Sequence, residues 1–191
     1  MRFSLLGTML LLALSGVATP AQKVSMETEG GIDTAGAASF SQYVFVDGTS
    51  WNALFRYVAA PAVQKVEGAI GPTIKLDKTT VKIQVGATSR SQAMVAGTLA
   101  AAVAGHSVFY IADSKFALRD GPNTLYQKLF VGLSRSGSWQ ARLEDLQVGR
   151  RQSFFAAGAE YRKKWGGGHV FVAPYYDFIS GKGGVHAGIR R

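Results

Sequence analysis

From Ser39 onward the apolar residues recur at every second position, and the segments that carry this alternation are joined by turns too short to hold a helix. Phe40, Gln42, Val44 and Val46 alternate with Ser41, Tyr43 and Phe45 up to an Asp47-Gly48 turn. Trp51, Ala53, Phe55, Tyr57 and Ala59 share a face opposite Asn52 and Arg56. Val66, Gly68, Ile70, Pro72, Ile74 and Leu76 stand opposite Lys65, Glu67, Thr73 and Lys75, and Val81, Ile83, Val85 and Ala87 opposite Lys82 and Gln84. The second half repeats the pattern through Gln127–Leu133, Trp139–Leu143, Phe155–Tyr161, Val170–Phe178 and Val185–Ile189, with Gly-, Ser- and Arg-rich turns between. A period of two puts alternate side chains on opposite faces of a strand. Without crossover helices, neighbouring strands run antiparallel in consecutive hairpins. About ten such strands, with eight to twelve admitted, are enough for a sheet to close on itself. The expected fold is therefore all-β, an antiparallel up-and-down barrel occupying residues 39–191. Pro72 cannot donate to a ladder, so a bulge or a strand end is expected there.

One stretch competes with this reading. Ala93–Ala112 carries no charge over twenty residues and is long enough for a transmembrane helix. Ala and Gly contribute little transfer energy, however, and Gly105-His106 can split the run into two strands, Gln92–Val103 and Ser107–Asp113. A helix here would interrupt the meander.

The N-terminus reads differently. Arg2, a leucine-rich run from Phe3 to Val17 and small residues at Gly16, Ala18 and Ala21 have the layout of a secretory signal peptide, residues 1–21. Residues 22–38 hold few large apolar side chains and carry Glu27, Glu29 and Asp33, so they read as a flexible extension. The chain contains no cysteine, which excludes disulfides, thiolate metal sites and a cysteine nucleophile.

Alternation alone does not say which face is inside. Three features favour the arrangement with apolar side chains outward. The strands are about the length that crosses a bilayer at a tilt. Aromatics gather near strand ends at Trp51, Tyr57, Tyr110, Tyr126, Trp139, Tyr161, Trp165, Tyr176 and Phe178. Small residues such as Gly86, Ala96, Ala100, Gly132 and Gly158 occupy much of the opposite face. In this pattern of signal peptide, absent cysteine, alternating strands and glycine-rich turns, the chain resembles the small outer-membrane β-barrels of Gram-negative bacteria. The resemblance is to the class and covers Ser39–Arg191. It implies an outer-membrane location and lipid as a partner. The chain departs from the class by ending in Ile189-Arg190-Arg191 where an aromatic is usual.

Little in the sequence suggests catalysis. His106, His169 and His186 show no metal-ligand spacing. His169 and His186 fall on neighbouring strands and could approach each other. His106-Ser107 is a poor dyad, because adjacent strand residues point to opposite faces. Asp177 with His169 or His186 is geometrically open. Gly166-Gly167-Gly168 lacks the Lys-Ser/Thr of a phosphate loop. The expectation is a non-enzyme with no cofactor and no metal, while a hydrolase at the barrel rim stays open.

The charge pattern says more. The chain has 21 Lys and Arg against 12 Asp and Glu, a formal charge of +9. Nucleic-acid binding fits poorly with an exported chain lacking a basic tail. If the polar faces line a lumen, Lys82, Lys128, Arg142 and Arg162 lie inside it and attract anions. The function expected on these grounds is a narrow passive pore for small anionic solutes. Two alternatives remain: a non-conducting structural or surface-interaction barrel, and a soluble periplasmic barrel holding an apolar ligand.

Overall fold

The computed structural model describes residues 22–61, 63–133 and 137–191. The expected signal peptide, and Arg135-Ser136 of the turn before Trp139, lie outside them. The described residues form twelve antiparallel strands: β1 (Lys23–Asp33), β2 (Ala38–Asp47), β3 (Trp51–Ala60), β4 (Val63–Leu76), β5 (Thr79–Thr88), β6 (Gln92–Val103), β7 (His106–Ala117), β8 (Thr124–Gly132), β9 (Trp139–Val148), β10 (Arg151–Trp165), β11 (Gly168–Asp177) and β12 (Lys182–Arg190). Each strand pairs with its sequence neighbours, and β1 pairs with β12 to close the ring. Arg191 and Met26 exchange backbone hydrogen bonds of 2.6 and 2.8 Å at this seam. With an even number of strands, β1 starts and β12 ends at the same rim, here called the terminal rim; the other is the distal rim.

The strand that the sequence reading omitted is β1. The segment read as a flexible extension pairs along its length with β2, from Lys23 opposite Asp47 to Ile32 opposite Ala38. The barrel therefore begins at Lys23 and not at Ser39. The alternation of β1 is weak because its inward members are Glu27, Glu29 and Gly31 and its outward ones include Thr28 and Gly30. Such a strand is stable only with partners on both sides, so composition alone made it look unstructured.

The uncharged run Ala93–Ala112 is a hairpin. Strands β6 and β7 pair from Gln92 opposite Ala117 to Val103 opposite His106. Ala104 and Gly105 form the two-residue turn with φ of 50° and 83°. Positive φ at both central positions gives the turn a twist that matches its strands. No helix among the described residues is long and apolar enough to cross a membrane, which places no restriction on a barrel.

Pro72 lies inside β4 rather than at its end. The ladder to β5 lapses at Gly71 and Pro72 and resumes in the same register, from Ile70 opposite Val85 to Thr73 opposite Lys82. There is thus no bulge. A side chain at Gly71 would collide with the Ile83 carbonyl, so only glycine lets the two strands approach here. Asn52 spans the lapse: its amide nitrogen lies 3.1 Å from Gly71 O, 2.9 Å from Pro72 O and 3.0 Å from Thr73 Oγ1.

The faces are inverted relative to a soluble protein. Ile70, Val85, Val95, Leu143, Phe155, Val172 and Ile189 are exposed, whereas Glu29, Arg56, Glu67, Gln84, Asp113, Lys115, Arg142 and Glu160 are buried. Burial of so many charges would be costly around an apolar core; here they line an enclosed polar lumen. Outside, Val44, Val46 and Ala53 pack beneath Met26, Trp51 and Phe55. Aromatics flank the apolar band at both rims. Trp139 lies 4.9 Å from Tyr161 toward the terminal rim, and Phe155 and Tyr176 both pack on Phe178 at the distal rim. This is the surface of a membrane-spanning barrel. Tyr126, grouped with these aromatics by sequence, instead points inward and is held in the lumen.

Candidate functional site

Two cavities occupy the lumen, of about 640 Å³ at the terminal rim and about 590 Å³ at the distal rim. Tyr43, Arg56 and Tyr126 line both, so these three side chains form the waist between them. They come from β2, β3 and β8, each at an inward position of its strand. The guanidinium carbon of Arg56 lies 5.7 Å from the centre of the Tyr43 ring and 6.0 Å from that of Tyr126. Both distances allow cation–π attraction.

Around the waist the charges interlock. Arg56 bonds Glu67 through Nε at 2.5 Å and Asp113 through Nη2 at 3.0 Å. Lys115 pairs with Asp113 and lies 3.4 Å from Glu67, which Lys65 also approaches at 2.7 Å. A second network lies on the β8–β12 side. Arg142 pairs with Glu144 and donates to Glu29 at 2.8 Å, and Lys128 lies 3.4 Å from Glu29 and 3.6 Å from Glu144. His186 Nδ1 stands 2.8 Å from Glu29. Arg190 bridges Glu27 and Glu160 at 2.6 and 2.7 Å, and Arg162 reaches Glu160 at 2.7 Å. The Tyr126 hydroxyl donates to Glu144 at 3.0 Å, so one ring joins the two networks.

All four cations picked out from the sequence lie on inward faces, and the structure gives each a carboxylate partner. Lys128 and Arg142 are buried in the second network, with 6% and 2% of their side chains exposed. Lys82, paired with Asp47 at 2.5 Å, keeps 23%, and Arg162 keeps 24%. Lys82, Lys128 and Arg162 line the terminal cavity. The lumen is thus a nearly balanced lattice at its waist and basic toward its ends. The terminal cavity is lined by Arg56, Lys78, Lys82, Lys128, Arg162 and Arg190 against Glu27, Asp47 and Asp113. The distal one has Arg56, Lys65, Arg90, Lys115 and Arg119 against Glu29, Asp120 and Glu144.

The sequence reading did not single out Arg56, Lys115 or Arg190 as lumen cations, nor Glu29, Glu67, Asp113, Glu144 and Glu160 as their partners. Period-two counting from any strand would have placed most of them on the polar face. Some pairs lie two residues apart on one strand or directly opposite on a hairpin, such as Lys115 with Asp113 and Arg56 with Glu67. The contacts that knit the lattice across the lumen, Arg56 with Asp113 and Arg142 with Glu29, join strands that are not neighbours and have no local signal.

The histidines and Asp177 separate in the structure. His169 pairs with Arg190 while His186 pairs with Ala173, so the two rings stand at different heights on β11 and β12. His106 places Nδ1 2.7 Å from the Gly132 carbonyl. Asp177 organises the last turn: it accepts from the backbone of Phe155 at 3.1 Å, Ile179 at 3.0 Å and Ser180 at 3.3 Å, and from the Ser180 hydroxyl at 2.5 Å. Among the described residues no cluster of His, Asp and Glu could hold a metal ion.

No family model and no curated protein matches this sequence. Solved structures do match the fold. The KdgM porin is 11% identical with a TM-score of 0.64, over 87% of this chain and 97% of that one. The KdgM porin in complex with disordered oligogalacturonate is 10% identical with a TM-score of 0.61, over the same shares. The Acinetobacter baumannii outer membrane protein Omp33 is 8% identical with a TM-score of 0.54, over 90% of this chain and 99% of that one. At such identities the likeness is one of fold, and the fold of this chain is that of the small outer-membrane β-barrels.

Proposed function

We propose that the chain is an outer-membrane pore that passes small anionic solutes. The observation that carries this reading is the stacking of two basic cavities on a waist centred on Arg56. A solute anion enters a region where cations outnumber carboxylates and where low-dielectric walls focus their field. At the waist it meets one guanidinium between two tyrosines. A solute carboxylate can compete there for Arg56, and Glu67, when displaced, keeps Lys65 at 2.7 Å and Lys115 at 3.4 Å as partners. The names of the structural neighbours support a porin reading, and one of them was solved in complex with oligogalacturonate, a polycarboxylate.

A second reading is a barrel that does not conduct. It is favoured by the density of ion pairs around Arg56, which fill the narrowest part of the lumen. Purified protein in a planar bilayer under a salt gradient separates the two. Conductance with an anion-selective reversal potential supports the pore. A heat-modifiable barrel that stays silent supports the structural reading, and cation selectivity rejects anion preference.

A further inference from the structure

The terminal cavity has two kinds of wall. Strands β2 and β8 stand six places apart in the twelve-strand ring, so they face each other across the lumen. The β2 side presents Tyr43 and Phe45, whose rings are 6.1 Å apart and parallel within 1°. The β7–β8 side presents Phe109, backed by the Phe130 ring at 6.1 Å; Phe130 itself is buried, with Lys128 and Arg190 over its ring. Lys82, from β5, stands at right angles to this axis, while Gln140 and Arg162, from β9 and β10, flank the β8 wall and close the slot on that side. Gln140 is 5% exposed, and among the described residues its Oε1 meets no hydrogen-bond donor. A buried acceptor without a donor is costly. Arg162 uses Nε for Glu160.

We propose that this cavity is a binding slot for hydroxylated aromatic carboxylates. A flat ring lies between the Tyr43–Phe45 wall and Phe109, where stacking favours planar apolar faces. Its carboxylate lies at the edge and is held by Arg162, with Lys82 opposite. A ring hydroxyl donates to Gln140 Oε1, satisfying the buried acceptor. This rests on the pore reading for its physiological meaning, since a slot at one rim then selects what reaches the waist. The binding itself does not depend on conduction. An aliphatic acid lacks the ring, and a neutral phenol lacks the charge; the slot discriminates against both.

The test is calorimetric titration of the intact, detergent-solubilised barrel with 4-hydroxybenzoate, acetate and phenol. 4-Hydroxybenzoate is expected to bind at least about tenfold more tightly than either comparator. Phe45→Ala and Phe109→Ala, each checked for heat-dependent gel mobility, should lose most of that preference, while Arg119→Ala in the distal cavity should keep it. Acetate binding as tightly as 4-hydroxybenzoate to the unaltered protein overturns the proposal without any variant. So does a preference that survives both phenylalanine substitutions. Bilayer recordings on the same preparation address the pore separately. Selective binding with no salt conductance leaves the slot standing and removes the pore, whereas conductance without selective binding removes the slot alone.

Discussion

Arg56 on β3 and Asp113 on β7 lie 57 residues apart in the chain and meet at 3.0 Å in the middle of the lumen. Glu67 holds the same guanidinium from the neighbouring strand β4. Both carboxylates are almost fully buried, so Arg56 is the centre of a charge lattice that water reaches poorly.

Replacing Arg56 with Met should therefore lower stability by about 3 kcal/mol, because it leaves buried carboxylates short of a cation. The same change removes the side chain between Tyr43 and Tyr126 and should raise single-channel conductance. Urea titration followed by gel mobility, and bilayer recording, give the two readouts. A variant as stable as the parent with unchanged conductance would show that Arg56 neither anchors the lattice nor sets the waist.

Lys82 and Arg162 differ from Lys128 and Arg142 in keeping about a quarter of their side chains exposed to the cavity. They are the members of that set available to a passing ion. Reversing both charges, Lys82→Glu with Arg162→Glu, should cut the anion-to-cation permeability ratio by about tenfold, and the effect should shrink at high salt. Reversal potentials across a salt gradient measure this. An unchanged ratio would place the selecting charges elsewhere, with the rim cations as the next candidates.

The fold was legible wherever hydrophobicity alternated strongly, as in β3 or β5, because a helix repeats every 3.6 residues and cannot produce a period of two. Tight turns such as Asp47-Gly48 added the antiparallel topology, and the turn expected at Gly105-His106 falls one residue earlier, at Ala104-Gly105. Strand β1 was not legible, since its outward face is broken by Thr28 and Gly30 between Met26 and Ile32, and its register is fixed only by pairing to β2 and β12. Tyr126 was misplaced for a related reason: tyrosine suits both an outer girdle and a lumen, and only strand parity distinguishes them. Lumen cations could be named from parity, but their carboxylate partners across the lumen could not. Arg142 and Glu29 are 113 residues apart, and nothing local encodes their contact.

The inverted faces lead to a depth-dependent expectation. Leu143 is midway along β9 and exposed on the outer surface, while Gln147 lies near the distal end of the same strand and face. Leu143→Arg should cost about 2–4 kcal/mol in a lipid bilayer, and Gln147→Arg only about 0–1 kcal/mol. Gln147 already donates to Asp145 at 3.0 Å, so an arginine there gains a carboxylate partner. Reversible unfolding in bilayers measures both. Equal costs would place the apolar band at a different height on β9.

The β6–β7 turn offers a stabilising change. Ala104 sits at φ 50°, a left-handed conformation that its β-carbon disfavours and that asparagine tolerates better. Gly105 follows at φ 83°, and a β-carbon there would meet nothing within 4 Å. Any cost of substituting Gly105 is therefore conformational rather than steric crowding. Ala104→Asn creates Asn-Gly, the favoured pair for a two-residue hairpin of this type. It should raise the unfolding free energy by about 1 kcal/mol, and Gly105→Ala should lower it by a similar amount. Neither residue lines the waist, so conductance should not change. Urea midpoints moving in opposite directions at constant conductance are the expected result. Two unmoved midpoints would mean that the hairpin is held by strand pairing alone and that its turn contributes no measurable stability.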